Sequence, residues 1–557
     1  MRKPIYAYAL LALLLFAGPA PANAAVVERL RFDNGGIASV EIVYPNDPAQ
    51  TCPTKIKKPL RARYRGDLEI VQTDDGRLAI VDEITFPEYL YGLGEVPRSW
   101  PVETLRAQVI AARSYALYQI AHPRSGAAEI GYDICSTDRC QVYRGVAVEQ
   151  GAFGERWVAA VNDTAGMALH HDGTPIQAFY FSTSSGTTRG NNEVFGGPPQ
   201  PYFKPVPGKD EASPMARWTV RIPLGDLATI LRRDDLWGSE PIVSVRREGA
   251  RMVIAGGGRT ERPTATSFRS TLNSEASCAF PDAYPPRRAD GSKLPQTVPS
   301  IRFEVSVSDG AAVLTGRGWG HDVGMSQYGA KALADAGQNA SDILAYYYGG
   351  LRPQTVTEPG AIRVMVAEGA IKIRITPEDG GTLRTGNGGV IGQGETYEIA
   401  PGNGGASVAR AQAGAVTPTL SVEATGAGAL QGFSSFTIPV TLSGPARVTS
   451  IVMRGETELR RDPEMSYERG EHPITVAMID AGGKELPDGE YQVVLEAFDG
   501  IDRVRLAAPV AITRPPPPPE PASPLRSWSP GLPAAAGALL LIVVAAFVVA
   551  RRRRPRS

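Results

Sequence analysis

Four apolar positions, Leu105, Val109, Ala112 and Ala116, recur at helical spacing inside PVETLRAQVIAARSYALYQ (101–119), and this period predicts a helix with one buried stripe. Pro101 suits its first turn, where a missing N–H costs nothing, and Glu103 adds a charge that the helix dipole favours. A second helical pattern covers 325–336. Elsewhere the period is two. VVERLRFDN, GDLEIVQTDDGRLAIVDEI and GMALHHDGTPIQAFYF alternate apolar with polar residues and predict strands and hairpins. IRVMVAEGAIKIRI alternates in the same way, and GGTLRTGNGGVIGQGETYEI reads as successive hairpins, so 355–416 is expected to be a Gly-rich accessory β-module. FTIPVTLSG, VTSIVMRG, HPITVAMIDAGG and YQVVLEAFDG follow, most closed by Gly or Asp-Gly, and predict a small β-sandwich over 417–513.

The ends of the chain carry different patterns. MRKPIYAYALLALLLFAGPAPANAA begins with two basic residues, continues with an apolar run and ends in Ala22-Asn23-Ala24, the layout of a secretory signal over 1–24. RPPPPPEPASP opens a Pro-rich stalk over 514–530, extended and semi-rigid. Leu532 to Ala550 carries no charge and is followed by Arg551–Arg554, so a single transmembrane helix is expected at 531–550, with a basic cytoplasmic tail at 551–557. These ends predict a single-pass cell-membrane protein, with the bulk of the chain outside the cell, facing the wall. No LPxTG-type motif precedes the apolar segment.

Composition narrows the classes. Lys plus Arg and Asp plus Glu both number 58, so no basic field is available for nucleic acid. A chain of 557 residues is too long for one core, and several domains are expected. The four cysteines, placed outside the membrane, tend to pair. Cys135 and Cys140 are close enough to close a small loop, and Cys52 with Cys278 would be the remaining pair.

One acidic residue stands in an awkward place. Glu95 lies in FPEYLYGLGEVP, among Phe86, Tyr89, Leu90, Tyr91, Leu93 and Val96, just ahead of the strong helix. A carboxyl among apolar neighbours loses hydration and its pKa rises, which keeps a proton available to a general acid near neutral pH. The competing reading is a solvated loop glutamate or a cap on the following helix. Gly92 and Gly94 would let a substrate approach the backbone.

YLYGLGEVPRSWPVETLRAQVIAARSYAL, AFYFSTSSGTTRGNNEVFGGPPQPYFKPVPGKDE (178–211) and GRGWGHDVGMSQYGAKALADAGQNASDILAYYYGG (316–350) resemble, in that order, three blocks of the stage II sporulation protein D / LytB amidase-enhancer family. The resemblance spans roughly 80–350 and implies work on peptidoglycan. Members of the sporulation branch are similar to lytic transglycosylases, in which the glutamate of the Glu-x-Pro ahead of the helix is the catalytic acid; that position here is Glu95. A hydrolase of the usual kind needs two carboxyls. A lytic transglycosylase can let the 6-hydroxyl of muramic acid attack the anomeric carbon, so one residue can serve as acid and then base.

The resemblance also makes Gln141, Tyr143, Ser184, Ser185, Thr187, His321, Gln327 and Tyr328 candidates for the glycan cleft. The loop holding Ser182, Ser184, Ser185 and Thr187 has no Gly-x-Ser-x-Gly elbow and no Ser-x-x-Lys, so sugar binding fits it better than a nucleophile. His321 is expected to be a hydrogen-bonding group rather than the proton donor. Asp322, where many relatives have Gly, is expected to be a solvated loop residue. YDICSTDRCQVYRG (132–145) corresponds to a stretch where some relatives bind zinc. Only Cys135 and Cys140 are kept here, His122 is the closest histidine, and a disulfide is preferred, with no cofactor. LPDGEYQVVLEAFDG resembles the last hairpin of immunoglobulin-like domains of bacterial surface proteins.

The expected fold is therefore an α+β catalytic-type domain over 25–350, followed by two all-β modules and the transmembrane helix. The expected function is a lytic transglycosylase cleaving glycan strands. The alternative is a non-catalytic, peptidoglycan-binding enhancer of an N-acetylmuramoyl-L-alanine amidase, which would make a cell-wall amidase a partner. A surface scaffold is a third reading.

Overall fold

The computed structural model describes residues 25–513, apart from 28, 46–51, 53–58, 125, 289–290, 379, 386–387, 404, 415–419, 425–429 and 432–434. The expected signal at 1–24, the stalk at 514–530 and the tail at 551–557 lie outside the described residues.

Two sheets form the body that carries the candidate site, and both draw strands from opposite parts of the chain. One has the order Ala25–Val27, Ala406–Gln412, Glu395–Ala400, Lys372–Pro377, Ala38–Val43, Leu60–Tyr64, all antiparallel. The other runs Val390–Ile391, Leu383–Thr385, Arg29–Asn34, Asp67–Gln72, Leu78–Thr85, Ala361–Ala370, Ile134–Cys135. Its last pair is parallel. Alternation explains the pairing. Ala38–Val43 buries every second residue, Lys372–Pro377 buries the complementary set, and Ile42 stands opposite Ile373 with Val40 opposite Ile375. Side chains opposite one another on antiparallel strands share a face. Phe32, Leu68, Ile80, Ile373 and Ile399 from the two sheets then meet in one apolar cluster.

This arrangement corrects the expected fold class. The Gly-rich segment is not an appended all-β module, because its strands complete two sheets begun at the N-terminal end. A few hairpins alone would leave their apolar face in water. The single C-terminal transmembrane helix is also corrected: among the described residues no helix is long and apolar enough to cross a membrane. The longest, Val102–Ala121, carries Glu103, Arg106 and Arg113 and is buried in protein. Residues 531–550, on which the expected membrane partnership rests, lie outside the described residues.

The helix Val102–Ala121 is buried on more than the predicted stripe. Leu105, Val109, Ala112 and Ala116 join the sheet cluster, while Ala107, Ile110 and Ala111 face a second one with Leu169, Met325 and Tyr348. Arg113, 1 % exposed, is matched by Glu358 at 2.5 Å and by the carbonyls of Val161 and Met167.

Two further cores stand apart. Between 215 and 316, two three-stranded sheets and the helices Leu224–Arg232 and Ala265–Ala279 enclose Trp218, Phe268 and Leu314. The Cys52–Cys278 disulfide ties this insertion to the N-terminal region. Residues 420–512 form two sheets around Phe436, Val440, Val476 and Val493. This sandwich docks on the main body. Arg61 pairs with Asp502 at 2.9 Å, and Arg63 donates to Gly500 O at 2.6 Å with its guanidinium over the Phe498 ring.

Candidate active site

A short helix, Phe86–Tyr91, ends at Gly92 and delivers the chain to a two-residue ladder. Leu93 pairs with Tyr143, Arg144 N donates to Gly92 O, and Gly94 N donates to Val142 O, both at 2.8 Å. The next rung is made by a side chain. Val142 N donates to Glu95 Oε1 at 2.7 Å, so the carboxyl stands where the next strand carbonyl would be. Gly92 and Gly94 serve this ladder and not a ligand. A Cβ at Gly92 would overlap the Tyr143 ring, and one at Gly94 would meet the Arg144 side chain at 3.1 Å.

The strand Tyr180–Phe181, parallel to Met325–Ser326, brings a second donor. Tyr180 OH donates to Glu95 Oε1 at 2.8 Å and accepts from Gln141 Nε2 at 3.0 Å. Gln141 is fully buried; it also donates to Ala112 O and accepts from Tyr89 OH at 2.7 Å. Two donors therefore occupy Oε1, while Oε2 accepts no hydrogen bond among the described residues. A proton on this carboxyl resides on Oε2. Burial pushes the Glu95 pKa up; the Val142 amide, Tyr180 hydroxyl and Arg144 charge oppose the rise, and Asp138 adds to it. Glu95 is half-buried and forms no salt bridge among the described residues.

The other expected residues divide. Gln327 Nε2 reaches the Glu95 carbonyl at 3.4 Å and Gln108 Oε1 at 3.3 Å. Tyr328 packs edge-on to Trp100, ring centroids 4.8 Å apart. Tyr143 points the other way, into the core between Tyr64 and Tyr89, with its hydroxyl on buried Asp82 at 2.7 Å. Burial raises the Asp82 pKa to about 7. Ser184 is buried against Asp210, which accepts from its amide, its hydroxyl and Ser326 Oγ. Ser185 donates twice to Asp322. Asp322 is thus 3 % exposed, held in the left-handed region at φ +66°, and not the solvated loop residue expected; burial raises its pKa. Thr187 is exposed. His321 sits among Phe179, Phe181 and Phe195 and accepts from Val323 N at 3.1 Å through Nδ1, which assigns the ring proton to Nε2. Burial lowers its pKa to about 4, so the ring is neutral. Cys135 and Cys140 are joined to each other.

A cavity of about 1340 Å³ lies beyond the Val142 wall, lined by Arg98, Asp138, Val142 and Arg144 on one side and by Pro445 and Asp499 of the sandwich on another. Glu95 is not in its lining; it touches the wall through the Val142 amide. Sequence reasoning missed Tyr180, Asp210, Arg98 and Arg144. Tyr180 alone left a signal, a polar-tipped ring between Phe179 and Phe181 in a period-two stretch.

A family model described as stage II sporulation protein, SpoIID, matches residues 74–171, which hold Glu95, Gln141 and the Cys135–Cys140 loop. Stage II sporulation protein D of Bacillus subtilis is 30 % identical over 280 residues, 48 % of this chain and 74 % of that protein. The chain belongs to the SpoIID family. An amidase enhancer of Bacillus subtilis is 29 % identical over 289 residues, of which the chain spans only 38 % of the relative's length. An uncharacterized protein of Brachyspira hyodysenteriae is 27 % identical over 295 residues, 71 % of its length. The SpoIID-matched segment contains the ladder, the central helix and Val142, and Tyr180 is supplied from beyond it.

Proposed function

We propose that this SpoIID-family chain cleaves the glycan strands of peptidoglycan as a lytic transglycosylase. Glu95 protonates the glycosidic oxygen from Oε2 as the bond to the anomeric carbon breaks. The 6-hydroxyl of the same muramic acid attacks that carbon, and its proton passes to the Glu95 carboxylate. Atoms balance without water, and the product carries a 1,6-anhydro end. The observation that carries the reading is a half-buried carboxyl with one oxygen saturated by two donors and the other unbonded, its pKa raised by burial. Those donors fix the carboxyl's orientation in both protonation states, as a residue acting first as acid and then as base requires.

The test is incubation of the full-length protein with purified denuded glycan and mass spectrometry of the products. Anhydro-ended fragments that vanish in Glu95→Gln are the expected result. Likeness to a protein named amidase enhancer supports the second reading, a glycan-binding partner of a cell-wall amidase. Intact glycan, with faster cleavage by an added amidase, would be its signature.

A further inference from the structure

The cavity beyond Val142 is lined by arginines and carboxylates, and two of the arginines, Arg98 and Arg144, form no salt bridge among the described residues. Arg61, also in the lining, is committed to Asp502. Arg98 donates through Nε to Ala152 O at 2.7 Å and has no salt bridge among the described residues. The Arg144 side chain, exposed, makes no hydrogen bond or salt bridge there at all. The two guanidiniums feel one another. Burial leads in holding Arg98 below its ordinary value; the charge of Glu468 opposes it, that of Arg144 adds to it, and Glu155 gives weaker opposition. Of the other carboxylates in the lining, Asp499 is turned onto its own loop, accepting from the amides of Ile501 and Asp502 at 2.8 and 2.7 Å. Asp138, on the same wall, forms no ion pair with either arginine.

Like charges lining one partly enclosed cavity repel, and a bound anion relieves the repulsion. A guanidinium pair suits a carboxylate, which it can grip through parallel N–H bonds. We propose that Arg98 and Arg144 form a carboxylate-binding subsite, closed on its far side by the sandwich, that holds a carboxylate carried by the glycan substrate. This rests on the glycan reading above. The carboxylate comes from one of two sources, the lactyl group of a muramic acid freed of its peptide, or the stem peptide of one that keeps it. Arg144 is also one of the charges that Glu95 feels, so the subsite reports to the reacting carboxyl.

Full-length Glu95→Gln protein, which binds without cleaving, is titrated by calorimetry with an N-acetylglucosamine–N-acetylmuramic acid tetrasaccharide, its lactyl methyl ester, and the same tetrasaccharide bearing stem peptides. The expected result is a preference for one carboxylate form over the ester of about tenfold, as for one charge-assisted contact. Adding Arg144→Gln removes that preference and leaves the ester affinity unchanged, and Arg144→Lys restores part of it. A preference confined to the free acid assigns the lactyl group; one confined to the peptide-bearing probe assigns the stem. If the acid, peptide-bearing and ester forms bind alike in both proteins, the subsite is overturned while the glycan reading stands. If no probe binds, the glycan reading fails and the subsite with it.

Discussion

Replacing Tyr180 by Phe deletes one hydroxyl from a buried chain that runs from Tyr89 through Gln141 and Tyr180 to Glu95. The hydroxyl donates to Glu95 Oε1 at 2.8 Å and favours the ionised carboxyl. Its loss therefore raises the Glu95 pKa beyond the rise that burial already imposes. A hydrogen bond to a charged group is worth about 1.5–3 kcal/mol, and at about 1.4 kcal/mol per pH unit the titration moves up by about one to two units. A general acid works in its protonated form, so the rate falls as pH rises through this pKa. In Tyr180→Phe that fall should begin correspondingly higher. Gln141 keeps its bonds to Ala112 O and Tyr89 OH, and a stability loss of about 1 kcal/mol is expected from the missing partner. The assay is the pH profile of anhydro-product release from denuded glycan, with thermal unfolding as a control for folding. A folded variant whose alkaline limb stays in place, or moves down, would refute the assignment of that limb to Glu95.

Four other outcomes are expected. Glu95→Gln keeps both donors at the same oxygen position. Because the folded pKa of Glu95 lies above the unfolded value of about 4.3, the stability it supplies is whole below that value and is lost as pH rises through the folded one. The variant should match the parent in acid and melt higher at neutral and alkaline pH; a melting difference independent of pH would contradict the burial argument. His321 behaves in the opposite sense. Its pKa is lowered to about 4, so its contribution is present above the unfolded value of about 6.5 and is lost as pH falls through about 4, a step that His321→Gln should remove from the stability curve. Arg61→Ala takes the guanidinium from Asp502, 4 % exposed, and should cost about 3–5 kcal/mol in denaturant unfolding; a change under about 1 kcal/mol would mean the pair behaves as a surface pair. Cys52 and Cys278 are 226 residues apart and Cys135 and Cys140 only 5, so chain entropy assigns about 5 kcal/mol to the first bridge and about 2 to the second. Separate Cys→Ala pairs should lower the melting temperature in that order.

Local periods carried the element types, and partner identity was hidden from them. Alternation in IRVMVAEGAIKIRI marks an apolar face, but nothing local says that Ile42 and Val40 stand beside Ile373 and Ile375 on it. The same limit governs the site. In an extended segment successive amides point to opposite edges, so Val142 N–H meets Glu95 while Tyr143 N–H goes to Ser136 O, and parity cannot be assigned before the partner strand is known. Glu95 stood out because its neighbours are apolar, and burial indeed leads the causes of its raised pKa. Asp322 misled for the converse reason. A polar residue in a Gly-rich loop reads as solvated, and only the fold brings Ser185 to its carboxylate. Asp210 lies in a PGKDE run that offers no hint of three converging donors.

The interleaving of early and late strands sets an order of assembly. The edge at Ala38–Val43 waits for Lys372–Pro377, more than three hundred residues downstream, before its hydrogen bonds are met on that side. A chain made from the N-terminus onward therefore exposes an unpaired, half-apolar strand until most of its synthesis is complete, and truncation before residue 412 leaves a sheet that cannot close.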